Sequence, residues 1–239
     1  MNNNQGIERE LKLVPADARL LDRLAAVERL GELEAVGRHR ELQRNSFFDT
    51  ASRALSSARV GFRRRTVDGR RLATWSLKSD ARLVGGVATR SEIELQLDPS
   101  MPPALAIGAL REAARSRGAA ALAEHVADAL ASGGLPLARP FLEMETDRAV
   151  VDLEAPDRGW SVELALDRVR LVGHAYDEVE IEAELKRGDD AALQAVLSAI
   201  AAVGDVRPSE GSKLSRAMAH LEGQPKRSSG SDRPSRPIC

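Results

Sequence analysis

Glu8-Arg9-Glu10-Leu11-Lys12 opens the patterned part of this chain, and Glu182-Ala183-Glu184-Leu185-Lys186 nearly repeats it toward the other end. Side chains two apart on an extended strand share a face. Each pentad therefore sets two carboxylates and one ammonium on one side of a strand, where hard cations and polyanions can both be held. The same period of two runs outward from them. Thr74, Ser76 and Lys78 alternate with Ala73, Trp75 and Leu77, and Arg90, Glu92, Glu94 and Gln96 with Ile93, Leu95 and Leu97. Glu163, Ala165 and Asp167 alternate with Val162, Leu164 and Leu166, and Glu178, Glu180, Glu182 and Glu184 with Val179, Ile181, Ala183 and Leu185. With segments near 40–49, 58–66 and 141–152, about eight strands are predicted.

Helical patterns lie between them. Pro15 suits a first helical turn beside Asp17, and Leu20, Leu24 and Val27 follow at helical spacing before Gly31. An Ala-rich stretch over 103–131, broken near Gly118, carries Leu110, Leu122, Val126 and Leu130 and stops at Gly133-Gly134. Asp189 and Asp190 can cap a helix with Leu193, Val196, Leu197, Ile200 and Val203 on one face, ended by Gly204. A short last helix is predicted over 213–221. Residues 1–6 and the Gly, Ser, Pro, Lys and Arg tail over 222–239 have almost nothing to bury, so disorder is expected there, with the tail as a linker. The folded domain is expected over 7–221.

Composition excludes several function classes. Of 239 residues 30% are charged, yet the net charge is −1, which argues against a nucleic-acid binder driven by bulk charge. Aromatic residues are 3% of the chain, little material for stacking on bases. The sole cysteine, Cys239, forms no internal disulfide and no thiolate zinc site, and His39, His125, His174 and His220 show no HxH or HExxH spacing. No apolar run approaches the ~20 residues of a membrane span, and Met1-Asn2-Asn3-Asn4 does not open a signal peptide. A cytoplasmic protein with no membrane or nucleic-acid partner is expected; a homodimer is left open. There is no GxxxxGK[ST], no GxGxxG opening a helix and no GxSxG elbow.

Taken singly, a strand with one charged face is the wet side of an antiparallel sheet. The ensemble is harder to absorb. Glu180, Glu182 and Glu184 repel one another on one face unless cations lie nearby, and Arg63-Arg64-Arg65 is an equally one-signed block. Segregated acids and bases suit a metal ion on one side and a phosphate chain on the other. If the sheet curls closed, its charged face lines a tunnel and its apolar face takes the helices.

In this order the motifs resemble the CYTH domain, the family of triphosphate tunnel metalloenzymes. Glu8-x-Glu10-x-Lys12 is similar to its opening signature, and Phe47-Phe48-Asp49-Thr50 to its second strand. Phe62-Arg63-Arg64-Arg65 resembles its basic strand, Trp75-Ser76-Leu77-Lys78 the strand ending in a tunnel lysine, and Arg90-Ser91-Glu92-Ile93-Glu94 its R-x-E-x-E strand. Glu163-Leu164-Ala165-Leu166-Asp167 and the segment from Glu180 to Lys186 resemble its late acidic strands, and Ser212-Lys213-Leu214-Ser215-Arg216 its terminal S-K-x-x-R. Met144-Glu145-Thr146-Asp147-Arg148 fits its strand loosely. The likeness is greatest to the long bacterial inorganic triphosphatases, which often carry a C-terminal CHAD domain; that domain is not found here.

The resemblance implies an α+β fold: an eight-stranded antiparallel β-barrel, the triphosphate tunnel, with helices on the outside. It implies Mg²⁺ or Mn²⁺ held among Glu8, Glu10, Glu92, Glu163, Glu180, Glu182 and Glu184, with the choice among the last three left open. It implies a phosphate cradle of Lys12, Arg63, Arg65, Lys78, Arg90, Arg148, Lys213 and Arg216, with Glu8, Glu10 and Lys12 catalytic. The late pentad is expected to face the first across the metal. The expected reaction is hydrolysis of inorganic triphosphate or short polyphosphate to pyrophosphate and phosphate. The alternatives are a class IV adenylate cyclase or a thiamine or nucleoside triphosphatase on the same fold, or a non-catalytic polyphosphate-binding module.

Overall fold

Eight of the alternating segments pair edge to edge until the sheet closes on itself. A computed structural model describes residues 7–84 and 87–223, in which eleven strands and six α-helices are numbered along the chain. The closed circuit runs β1 (Ile7–Pro15), β10 (Asp177–Arg187), β9 (Trp160–Leu171), β8 (Leu142–Ala155), β3 (Leu33–Phe48), β4 (Gly61–Val67), β5 (Ala73–Lys78), β7 (Val87–Leu97) and back to β1. Every pairing is antiparallel. Strand β1 is the closing strand: on one edge Glu8 stands opposite Arg90 and Glu10 opposite Ala88, and on the other Glu10 faces Glu184 and Lys12 faces Glu182. Three short strands flank the barrel: β2 (Arg29–Leu30) on β3, β6 (Arg82–Val84) on β7, and β11 (Val206–Pro208) on β1.

The apolar side of each strand faces outward, so the helices sit outside and two cores form between barrel and helices. One packs Leu20, Leu21 and Leu24 of α1 (Arg19–Ala25) and Leu193, Val196 and Ile200 of α5 (Asp190–Val203) with Leu11, Leu13, Val162, Leu164, Leu166 and Ile181. The other packs α2 (Ala54–Ser57), α3 (Pro103–Ser116) and α4 (Ala120–Gly133) on β4, β5 and β7, with Ile107, Leu110 and Val126 around Trp75. Phe48, Phe62 and Trp75 form a ring cluster with centroids 5.5–5.8 Å apart. Trp75 is fully buried outside the barrel, as its alternation with Thr74 and Ser76 predicts.

The first helix differs from its sequence pattern. Pro15 ends β1 opposite Val206, and α1 begins only at Arg19, whose backbone N–H donates to Asp17 Oδ1 at 2.9 Å. Strand pairing with β11 outweighs the helical preference of Pro15. The Ala-rich stretch breaks into α3 and α4 at Gly118, whose φ of +83° is cheap only for glycine. Asp189 caps α5 by accepting from Ala191 N–H at 3.0 Å.

A second unit begins at Glu210, and its described part holds α6 (Lys213–Gly223). The segments 1–6 and 224–239, for which disorder was expected, lie outside the described residues, as do Gly85 and Gly86. No described helix is long and apolar enough to cross a membrane.

Candidate active site in the barrel lumen

The register places thirteen of the anticipated residues on one inward face. Glu8, Glu10 and Lys12 come from β1, Glu180, Glu182 and Glu184 from β10, and Glu163 from β9. Arg148 is supplied by β8, Arg63 and Arg65 by β4, Lys78 by β5, and Arg90 and Glu92 by β7. Lys213 and Arg216 lie on α6 in the second unit, where Arg216 Nη1 donates to the Gly211 carbonyl at 3.2 Å. The two pentads are side by side on adjacent strands, not on opposite walls, with Glu10 directly opposite Glu184.

Ion pairs run around the lumen in alternating sign. Asp167 accepts two hydrogen bonds from Arg148, at 2.7 and 2.6 Å, and Arg148 also donates to Glu182 at 2.7 Å. Glu182 lies 3.3 Å from Lys12 Nζ, Lys12 3.2 Å from Glu10, and Glu10 2.8 Å from Arg90. Arg90 also binds Glu8, which lies 3.5 Å from Lys78, and Lys78 reaches Glu92 at 2.7 Å. A second set holds Arg63 to Glu94 at 3.3 Å and Arg65 Nε to Asn45 Oδ1 at 3.3 Å. Near the end of β10, Lys186 sits 2.8 Å from Glu184 and 3.4 Å from Glu163.

Two opposing pressures set the ionisation of these groups. Burial, then Glu8 and Glu182, raise Glu10 above the usual carboxylate range, against Lys12 and Arg90. Glu184 is raised by burial together with Glu8 and Glu163. For Glu8, the cost of burial is outweighed by Lys78, a hydrogen bond from Glu92 and Arg90, so it is held well below that range. Burial disfavours the charge on Lys12 too, but Glu182 and Glu10 outweigh it and raise the ammonium. Arg63 is lowered to about 10 by burial and then by Arg65, with Arg148 adding to the repulsion and Glu94 and Glu92 opposing it.

Among the described residues no three acids converge closely enough to form a ready-made metal cage. The donor chemistry nonetheless fits a hard divalent cation. Glu8, Glu10, Glu163, Glu182 and Glu184 offer only carboxylate oxygens, and the raised Glu10 and Glu184 are crowded by like charge that a cation would relieve.

Besides Lys186, three inward acids were not anticipated as site residues. Asp167 is fully buried and orients Arg148; Glu94 pairs with Arg63; Glu41 stands opposite Arg148 on β3. The alternation that singled out Glu163 and Glu92 holds the signal for Asp167 and Glu94. For Glu41 only the register of β3 with β8 reveals the face.

The profile of the CYTH domain matches residues 6–218. The chain belongs to the CYTH domain family. Its solved CYTH-fold neighbours include the proposed adenylyl cyclase HpAC1 from Hippeastrum, described as having a dominant triphosphatase activity. HpAC1 is 25% identical with a TM-score of 0.58, and the match covers 89% of this chain and 96% of that one. A proposed adenylate cyclase from Bacillus halodurans is 21% identical with a TM-score of 0.50, covering 88% and 98%. A search of curated proteins finds no match. The closed eight-stranded barrel with external helices is the CYTH fold, as the motifs imply.

Proposed function

We propose that this CYTH protein hydrolyses inorganic triphosphate to pyrophosphate and phosphate with Mg²⁺ or Mn²⁺. The observation that carries this reading is the luminal arginine cluster. Arg63 is pushed down to about 10 by burial and by Arg65 and Arg148, and its buried Nε hydrogen-bonds no described acceptor. Ser76 Oγ, opposite it on β5, is also buried without a described partner. Cations crowded at this cost favour a polyanion, and guanidinium groups match phosphate oxygens two at a time.

In this reading Arg63, Arg65 and Arg148 orient the phosphate chain, and Lys12, Lys78 and Arg90 neutralise it as the ion pairs with Glu8, Glu10, Glu92 and Glu182 open. Glu8, Glu10 and the β10 acids, with Glu163, would hold the cation; Lys213 and Arg216 stand as phosphate ligands on their motif alone. Bound there, the ion would screen the phosphate oxygens and acidify a water. The attacking water forms a new P–O bond at the terminal phosphorus as the bond to the bridging oxygen breaks. Its proton passes to Glu10, and pyrophosphate leaves.

Inorganic triphosphate is favoured over nucleotides because six of the seven aromatic rings are held away from the lumen or buried, and the seventh, Tyr176, donates its hydroxyl to Glu178 at 2.7 Å. Phe48, Phe62 and Trp75 lie in the outer core, Trp160 packs on the other core, Phe141 lies under Arg53, and Phe47 is buried. The HpAC1 likeness keeps the cyclase reading in the test. Tripolyphosphate, ATP and thiamine triphosphate are each incubated with either metal, and phosphate, pyrophosphate and cyclic AMP are measured. Phosphate and pyrophosphate from tripolyphosphate are expected. Cyclic AMP with pyrophosphate from ATP would overturn the proposal, and phosphate release from none of the three would leave a binding module.

A further inference from the structure

Arg63, Ser76 and Glu94 stand in one row across three neighbouring strands. Ser76 on β5 is the direct partner of Arg63 on β4 and of Glu94 on β7, so all three side chains share the inward face. Two strand spacings, about 10 Å, separate β4 from β7. Two long side chains meet across that gap, where Arg63 Nη2 donates to Glu94 Oε1 at 3.3 Å. The ion pair therefore passes over β5 at Ser76, which is fully buried.

This strap leaves donors unsatisfied beneath it. Ser76 Oγ and Arg63 Nε are both buried, and neither hydrogen-bonds a described residue. A buried donor without an acceptor is destabilising. Glu94 takes up Nη2 alone, and its side chain is 40% exposed against 14% for Arg63, so of the two it is the one that can turn out into water. Burial raises its pKa, but Lys78, Arg65 and Arg63 outweigh that and lower it to about 2. Glu94 therefore rests on Arg63 as an anion. A phosphoryl group in its place would take Arg63 through Nε and an Nη together and would also accept from the Ser76 hydroxyl. Arg65, the next inward residue on β4, is held by neutral Asn45 beside the same spot. Two anions repel at this spacing, so the carboxylate has to leave as the phosphate arrives.

We infer that Glu94 is a stand-in anion: it latches Arg63 over Ser76 until a phosphoryl group displaces it, and the Ser76 hydroxyl then binds that group. The inference rests on the proposed triphosphate reading. It adds Ser76 to the phosphate ligands and makes Glu94 a competitor of substrate. Removing the acid should strengthen binding, and removing the hydroxyl should weaken it.

The test uses the full chain. Calorimetry of tripolyphosphate in EDTA, where nothing turns over, reads binding alone, and KM with Mn²⁺ reads it during turnover. Glu94→Gln keeps the shape of the side chain and removes its charge, and Kd should fall about threefold, as for loss of a partly exposed ion pair. Ser76→Ala should raise Kd about tenfold, as for one hydrogen bond to a charged group, without lowering the melting temperature of the free protein. On an Arg63→Ala background Glu94→Gln should give no gain. A weaker Kd for Glu94→Gln would overturn the latch. So would an equal gain without Arg63, which would mean general relief of negative charge. An unchanged Kd for Ser76→Ala would overturn the hydroxyl contact and leave Ser76 as a space-filling residue. If the protein binds tripolyphosphate with these shifts but hydrolyses none, the proposed reaction fails and the latch stands. If it binds none with or without metal, both fall.

Discussion

Glu10 is where acid, base and metal roles meet. It lies 2.8 Å from Arg90 and 3.2 Å from Lys12, opposite Glu184, with its pKa raised chiefly by burial. Glu10→Ala should fold and lose roughly 10²-fold or more in kcat on tripolyphosphate; wild-type turnover would sink its assignment. Arg65 donates to neutral Asn45 Oδ1 at 3.3 Å, and in the proposed reading it holds the phosphate chain. Arg65→Ala should therefore raise KM about tenfold with little change in kcat, as expected for uniform binding. A kcat collapse at constant KM would move Arg65 into the chemistry. Because the folded-state pKa values of Glu10 and Glu184 lie above the ordinary carboxylate value, about 4.3, the fold binds extra protons just above that pH. Their burial therefore costs stability as pH rises through the raised values. A cation needs both ionised, so Mn²⁺ binding should release protons in that window and tighten with pH. Calorimetry in two buffers of different ionisation enthalpy reads this directly, and identical heats would refute it.

At the scale of elements, alternation decides more than propensity. Most of the inward residues were legible because a period of two leaves no choice of face once one face is apolar. Helix boundaries were less so: Pro15 is claimed by the strand because β11 supplies a partner. Helix α2 has just four residues and is held by two side chains, Thr50, whose Oγ1 accepts from Ala54 N–H at 2.9 Å, and above all Asp49. Asp49, buried at the end of β3, accepts from the backbone N–H of Thr50 at 2.7 Å, Leu55 at 2.9 Å and Ser56 at 3.0 Å, and from the Ser56 hydroxyl. Phe47-Phe48-Asp49-Thr50 showed where the strand is, but not that its aspartate gathers a loop ahead of it in the chain. Asp49→Ala leaves three N–H groups without their acceptor and should destabilise by about 2–4 kcal/mol. A urea midpoint checks this, with kcat expected to be unchanged at a permissive temperature; an unaltered midpoint would show that water replaces the carboxylate.

For the whole molecule, closure converts an ordinary amphipathic sheet into a charged chamber. The luminal acids and bases neutralise one another across strands distant in sequence, as Arg148 does with Asp167 and Glu182. Ligands that bind this folded chamber and not the unfolded chain must stabilise it, by ~2.7 kcal/mol at a hundred times Kd. Tripolyphosphate with metal should raise the melting temperature, and high salt should diminish the shift, because the partly exposed charges of the lumen are screened. A melting temperature indifferent to tripolyphosphate would argue against binding in the lumen.

The sequence by itself determined the strand faces, the segregation of Glu and Arg, and the motif order, because alternation, charge and spacing are local properties of the chain. Tertiary structure decided which charges touch. It set the pentads side by side rather than across from each other, and it brought Glu41 and Asp167 to Arg148. Register and barrel closure are long-range choices, settled by how two outer cores pack, and no pentad encodes them alone.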